Sequence, residues 1–137
     1  MHIKFGTDGW RGIIADDFTF ENVAICAQGV ADYIKAEGSQ ERGLLVGYDT
    51  RFGSREFAVL VAEVFAGNGI KTFLCDTAAP TPVISYNVLV EKTAGAVIIT
   101  ASHNSARWNG FKFKSEYAGS ASAETVTQLE EHIVRVG

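Results

Sequence analysis

No apolar run approaches the roughly 18 residues that a membrane-crossing helix needs. The N-terminus, Met1-His2-Ile3-Lys4, lacks the charged-then-apolar-then-small layout of a secretory signal. The expectation is therefore a cytoplasmic protein with no membrane partner. Cationic excess is also missing: 12 Lys and Arg stand against 16 Asp and Glu, for a net charge of −4. A nucleic-acid binder needs a basic face to displace counterions from phosphates, so the charge argues against that class. A small phosphorylated ligand is not, because a few focused cations suffice for it. Neither of the two cysteines, Cys26 and Cys75, lies in a Cys-x-x-Cys pair or near a His/Cys cluster. Both are expected as free, buried thiols and not as a disulfide or zinc site. Internal repeats and low-complexity tracts are absent as well, and the Gly/Ser/Ala-rich stretch 118–123 is too short to be a domain linker.

What is present is enough for one compact domain: 137 residues, 47% of them apolar and 20% charged. Residues 1–137 are expected to form a single unit. Phe20, Val23, Ala24, Ala27, Val30, Ala31 and Ile34 recur at helical spacing, with Thr19 as a candidate N-cap and Gly38 as a stop. Residues 44–48 read as a short buried strand. A second helix carries Phe57, Leu60, Val61, Val64 and Phe65, capped by Ser54 and ended by Gly67 and Gly69. Residues 71–74 form a second strand. Thr81-Pro82 reads as a cap followed by proline at the first position of a helix reaching about Glu91. Residues 94–100 are the most continuous apolar run and suit a central strand covered on both faces. Phe111 to Lys114 alternates as a strand nearer an edge, and Val126, Leu129, Ile133 and Val136 mark a last helix capped by Ser120 or Ser122. Alternating strands and helices predict a three-layer α/β/α sandwich with a mixed, mainly parallel four-stranded sheet. The loops after Tyr48, Leu74 and Thr100 should share its carboxyl edge, where ligands bind in open α/β sheets.

Four segments carry the candidate chemistry. Thr100-Ala101-Ser102-His103-Asn104 follows the central strand, so a hydroxyl there is presented at the sheet edge by a rigid element. Next comes Asn109-Gly110-Phe111-Lys112, where the glycine lets the backbone turn and the lysine brings positive charge. A serine hydroxyl is a weak nucleophile without a nearby base, and His103 and Lys112 are the candidates. A phosphate on Ser102 would bring nearly two negative charges, to be met by Arg11, Lys112 and a divalent metal. Read singly, Ser102 is a cap or turn residue and His103 a loop imidazole; the ordered set is what points to chemistry. The third segment, Phe5-Gly6-Thr7-Asp8-Gly9-Trp10-Arg11-Gly12, combines glycines that permit close backbone approach with a guanidinium suited to phosphate. In the fourth, Gly47-Tyr48-Asp49-Thr50-Arg51, Asp49 or Thr50 caps the turn and Arg51 serves as an ion-pair partner that orders the loops. A serine hydrolase is disfavoured, since Ser102 has no Gly-x-Ser-x-Gly elbow.

Together FGTDGWRG at 5–12, GYDTR at 47–51, TASHN at 100–104 and NGFK at 109–112 resemble the first domain of the α-D-phosphohexomutases, which include phosphoglucomutases and phosphomannomutases. The resemblance spans nearly the whole chain with the motifs in order. It implies that phosphorylated Ser102 gives its phosphoryl group to a hexose 1- or 6-phosphate. A bisphosphate intermediate turns over in the site, and Ser102 takes back the other phosphoryl group. A hexose 1,6-bisphosphate would act as activator. The resemblance further implies Mg²⁺ on an oxygen of the Ser102 phosphate, general acid/base roles for His103 and Lys112, and an assisting role for Arg11. Thr7, Asn104, Asn109 and Arg51 fall at phosphate-binding or loop-shaping positions. This sequence has Ser105 where the family usually has proline, and Trp108 where tyrosine is common. The loss of proline is expected to loosen the loop. Trp10 leans the substrate slightly toward glucose or mannose phosphates. Complete members have four domains, and the Asp-rich metal loop of the second has no counterpart here. The expected partners are therefore a phosphorylated hexose and the missing domains 2–4, with little mutase activity in this chain alone and self-association through exposed domain faces. The alternative is a stand-alone binding module that keeps the fold without turnover.

Overall fold

The computed structural model describes residues 3–6, 9–101 and 104–137. Nine elements follow one another: β1 (Trp10–Ile13), α1 (Phe20–Ala36), β2 (Leu44–Tyr48), α2 (Ser54–Gly67), β3 (Thr72–Leu74), α3 (Thr81–Glu91), β4 (Gly95–Ile99), β5 (Trp108–Ser115) and α4 (Ala123–Val136). They build a five-stranded sheet in the order β1-β5-β4-β2-β3. The pairs β2–β3 and β2–β4 are parallel, whereas β4–β5 and β1–β5 are antiparallel. The sheet is thus mixed as expected, with one strand more than expected and two antiparallel pairs beside two parallel ones. The added strand is β1. Its four residues are half glycine and charged side chain and carry no apolar alternation, so only the pairing with β5 reveals it.

Two apolar clusters account for the layers. On one face Leu44, Val46, Val97, Ile99, Phe111 and Phe113 meet α1, α2 and α4 through residues such as Val30, Val61 and Leu129. On the other, Leu45, Ala96 and Ile98 meet Ile84 and Val88 of α3, with Phe73, Cys75, Ala79 and Ala118 packed against them. Every residue of β2 and β4 is buried, which explains their unbroken apolar sequence. Phe18, fully buried, anchors the β1 side by stacking on Trp10 at 4.9 Å and meeting the edge of Phe57 at 4.8 Å. The outward side of α3 leaves Val83, Tyr86, Leu89 and Val90 about half exposed or more.

The helix starts follow local capping chemistry. Thr19 accepts the Asn22 amide at the head of α1, as expected, and Ser122, not Ser120, accepts that of Thr125 at α4. Two caps differ from expectation. Thr81 is already inside α3, whose cap is Pro80, so Pro82 sits in the first turn one place later than the dipeptide suggested. Gly53, with φ +78°, precedes α2 as its cap, and Ser54 is the first helical residue, fully buried. A left-handed φ favours glycine there and frees the Ser54 hydroxyl for another use. The cysteines are both free; Cys26 is buried and Cys75 half-buried. Burial pushes both thiols up, with the charge of Asp76 adding to the effect at Cys75.

Candidate active-site edge

Strand order and direction decide where a site can form. From β2 the chain crosses through α2 to β3 on one side; from β3 it crosses back through α3, on the opposite face, to β4 on the other side of β2. The carboxyl ends of β2 and β4 therefore flank a topological switch point, the crevice where open α/β sheets bind ligands. The pairing Tyr48↔Ile99 and the hydrogen bond from the Asp49 amide to the Ile99 carbonyl (3.2 Å) bring the turn after β2 level with Thr100. Ser102, the expected phosphoryl carrier, and His103 follow directly; both, like Thr7, lie outside the described residues.

β5 runs back from the same edge. It begins at Trp108, so Asn109 and Gly110, expected in a turn before the strand, are part of it. The reason is β1: Arg11 pairs with Gly110 and Gly12 with Asn109, which extends the ladder. Asn109 is fully buried on the α2 side, where its amide donates to the Ser54 hydroxyl (2.9 Å) while its side-chain carbonyl accepts the Gly110 amide (2.9 Å). Gly110 is required by close approach. A Cβ there would stand 2.5 Å from the Thr100 carbonyl oxygen and 3.1 Å from Cγ of Arg11. The missing side chain lets the Arg11 stem lie across β5, so its guanidinium reaches over to Asn104 and donates to the Asn104 side-chain oxygen at 2.7 Å. Gly9, with φ +89°, serves β1 in the same way; a Cβ would be 2.1 Å from the Phe111 carbonyl oxygen.

Alternation along the strands separates two sets of polar groups. Trp10, Asn109 and Phe111 face α1 and α2, whereas Arg11, Gly110 and Lys112 share the α3 face, Lys112 opposite Ile98. Lys112, half-buried, stands two residues and about 7 Å back from Gly110 along the strand. Arg11 and Lys112 are thus two cations on one face beside the loop that holds Ser102 and His103.

Arg51 lies on the turn side of the crevice. Its guanidinium donates to the carbonyls of Asn104 (2.7 Å), Ser105 (2.8 Å) and Trp108 (3.3 Å), and it pairs with Asp49 at 3.4 Å. These bonds hold the loop where a proline was expected to be needed: Ser105 is fixed through its carbonyl instead of its φ. Asp49 does more than cap the turn. One carboxylate oxygen accepts the Arg51 amide (3.0 Å) and the Ser54 hydroxyl (2.8 Å), and the other accepts the Thr100 hydroxyl (2.7 Å). The sequence suggests only a capping role for Ser54 and only a place in the motif for Thr100, because each is a small hydroxyl with an ordinary local use. Their shared partner becomes visible only when β2 and β4 are placed side by side.

Metal binding needs ligands that this arrangement does not gather. Among the described residues no group of three or more His, Cys, Asp or Glu side chains is placed to hold an ion. The Asp49 oxygens are already engaged by Thr100, Ser54 and Arg51.

Replacing Gly110 by alanine should test the close approach of β1, β4 and β5. Gly110→Ala is expected to cost about 1–3 kcal/mol, the usual range for overpacking, in chemical denaturation. It should also shift the NMR signals of Arg11 and Asn104. An unchanged midpoint with unchanged signals would refute the packing argument.

Comparison with known proteins agrees with this geometry. Residues 2–136 match the family model described as phosphoglucomutase/phosphomannomutase, alpha/beta/alpha domain I. A probable phosphoribomutase of Schizosaccharomyces pombe is 40% identical over 119 residues, covering 82% of this chain and 20% of that protein. A phosphoglucomutase of Staphylococcus epidermidis is 34% identical, covering 98% of this chain and 25% of its own length. The crystal structure of a putative phosphomannomutase from Thermus thermophilus superposes with a TM-score of 0.91 at 36% identity, over 96% of this chain and 30% of that one. The chain thus spans about a fifth to a quarter of the length of these sequence relatives. With the family model, the relatives and the fold in agreement, the chain belongs to the phosphoglucomutase/phosphomannomutase family as its α/β/α domain I.

Proposed function

We propose that this domain carries the phosphoryl group in an enzyme that interconverts hexose 1- and 6-phosphates, with Ser102 as the carrier. The observation that supports this most is the placement of Thr100 and Asn104 at the switch point, with the Arg11 guanidinium on Asn104. Ser102 falls between those two residues. In the forward half-reaction a sugar hydroxyl oxygen attacks the phosphorus of phosphorylated Ser102. The new P–O bond forms as the P–Oγ bond breaks; the hydroxyl proton passes to a base, and the departing Ser102 oxygen is reprotonated by an acid. His103 and Lys112 are the residues assigned to these proton transfers. In the second half-reaction Ser102 attacks the other phosphoryl group of the bisphosphate, which regenerates phosphoserine and releases the isomeric monophosphate. Arg11 spreads charge on the transferring group and orients it, which is the larger part of catalysis in phosphoryl transfer.

Family membership implies Mg²⁺, which supplies charge neutralisation at the phosphate when bound. Within this chain the ligand assigned to it is the Ser102 phosphate, and the remaining ligands belong to other parts of the enzyme. The distal phosphate of the sugar likewise needs residues outside this domain, so the chain alone is expected to show no appreciable turnover. Glucose or mannose phosphate is the assigned substrate class. Self-association is assigned to the exposed apolar side of α3, Val83, Tyr86, Leu89 and Val90. Sedimentation of the chain should show a concentration-dependent increase in mass that Leu89→Ser and Val90→Ser together suppress; a clean monomer at all concentrations would reject this surface.

Incubation with glucose or mannose 1,6-bisphosphate and Mg²⁺, alone and with domains 2–4 of a relative added, followed by peptide mass mapping, tests the carrier. Phosphate on the peptide containing Ser102, absent from Ser102→Ala, is the expected result; the control matters because Ser105 lies three residues away. No label under either condition would favour a binding module that keeps the fold without transfer.

A further inference from the structure

Both ends of the loop that contains Ser102 are held by residues of one turn. At the entering end the Thr100 hydroxyl donates to Asp49 (2.7 Å). At the leaving end the Arg51 guanidinium holds the carbonyls of Asn104, Ser105 and Trp108. Asp49 and Arg51 are themselves paired at 3.4 Å, with side chains 27% and 14% exposed, so solvent screens the pair only in part. Behind them the Ser54 hydroxyl donates to Asp49 and accepts from Asn109, fastening the turn to β5, where the loop ends.

We propose that Asp49 is a positioning residue for phosphoryl transfer at Ser102, closing with Arg51 a clamp on both ends of the loop. This inference rests on Ser102 being the carrier. The Asp49 carboxylate is not free to act as a base, since each oxygen already accepts a hydroxyl. It works through Thr100 and Arg51. Charge is essential to the clamp: an asparagine keeps the shape but turns one oxygen into an NH₂ donor, facing either the Ser54 hydroxyl and the Arg51 amide or the Thr100 hydroxyl and the Arg51 guanidinium, so in either orientation an N–H group of Arg51 loses its acceptor. Losing the clamp leaves the sheet intact, because Leu44–Tyr48 and Gly95–Ile99 are paired along their full length without it. What changes is the angle and height at which the chain leaves β4, and displacement by an ångström is enough to slow a reaction about a hundredfold.

Two readouts on the wild type, Asp49→Asn, Thr100→Val and Thr100→Ser test this. Amide exchange by NMR is followed at Asn104 and Trp108, whose amides bond the Ala101 and Ser105 carbonyls, and at Val46 and Val97 in the sheet. Asp49→Asn and Thr100→Val should speed exchange at Asn104 and Trp108 about tenfold or more while Val46 and Val97 keep their rates, as expected for a local opening. Thr100→Ser, which retains the hydroxyl, should behave as wild type. Under conditions where wild-type Ser102 takes label from the bisphosphate, the first two variants should label about a hundredfold more slowly at saturation, with the half-saturating concentration unchanged. Equal exchange at Asn104, or a uniform rise at all four amides, would overturn the proposal. So would a loss confined to bisphosphate affinity. A wild-type chain that takes no label under any condition would overturn the Ser102 reading; exchange at Asn104 would then still decide whether Asp49 fixes the loop.

Discussion

The carboxyl ends of β2 and β4 lie side by side, and the arrangement of the candidate site depends on that adjacency. Parallel pairing from Leu44↔Gly95 to Tyr48↔Ile99 is maintained by burial on both faces, α1 and α2 on one and α3 on the other. Because α2 and α3 leave the sheet on opposite faces, a crevice opens between the two strand ends. The turn after β2 and the loop after β4 therefore meet there, and each supplies what the other lacks. The turn brings Asp49 and Arg51; the loop brings a hydroxyl and three carbonyls to bind them.

The second half of the edge is built by backbones pressed together. β5 returns antiparallel to β4, and β1 pairs on its outer side. Glycines at 9 and 110 remove the side chains that would hold these backbones apart, and the space at Gly110 is filled by the Arg11 stem. Arg11 thus reaches Asn104 from a strand, on a support more rigid than the loop it touches. Lys112 is placed by the neighbouring strand β5, on the same face. The proposed chemistry follows from this: cations on fixed strands beside a hydroxyl-bearing loop clamped at both ends.

Much of the architecture was legible in the sequence for clear physical reasons. β2 and β4 are buried on both faces and so read as continuous apolar runs, while α1 and α4 carry side-chain caps at Thr19 and Ser122. β1 was not legible, since its four residues, Gly12 and Arg11 among them, show no apolar periodicity and the strand is defined by its pairing with β5. Ser54 misled because a serine before a helix is usually its cap; here Gly53 takes the left-handed turn and the hydroxyl is drawn inward by Asp49 and Asn109. Arg11, Asn104, Asn109 and Arg51 were singled out by motif and are brought to one edge, while the part played by Asp49 needed the register of two strands. Ser105, expected to leave the loop slack, is tied down by Arg51, a long-range bond that no local rule anticipates.

The central claim is that this domain presents Ser102 for phosphoryl transfer within a larger enzyme. It is tested most directly by exchanging this chain for the first domain of the Thermus thermophilus relative, with which it shares 36% identity and its fold. Conversion of hexose 1-phosphate to 6-phosphate is then measured, with and without Ser102→Ala. The account predicts turnover in the chimera and none in the serine variant. A folded chimera that binds sugar phosphate without converting it, or a serine variant that converts it as well as the parent chimera, would contradict it.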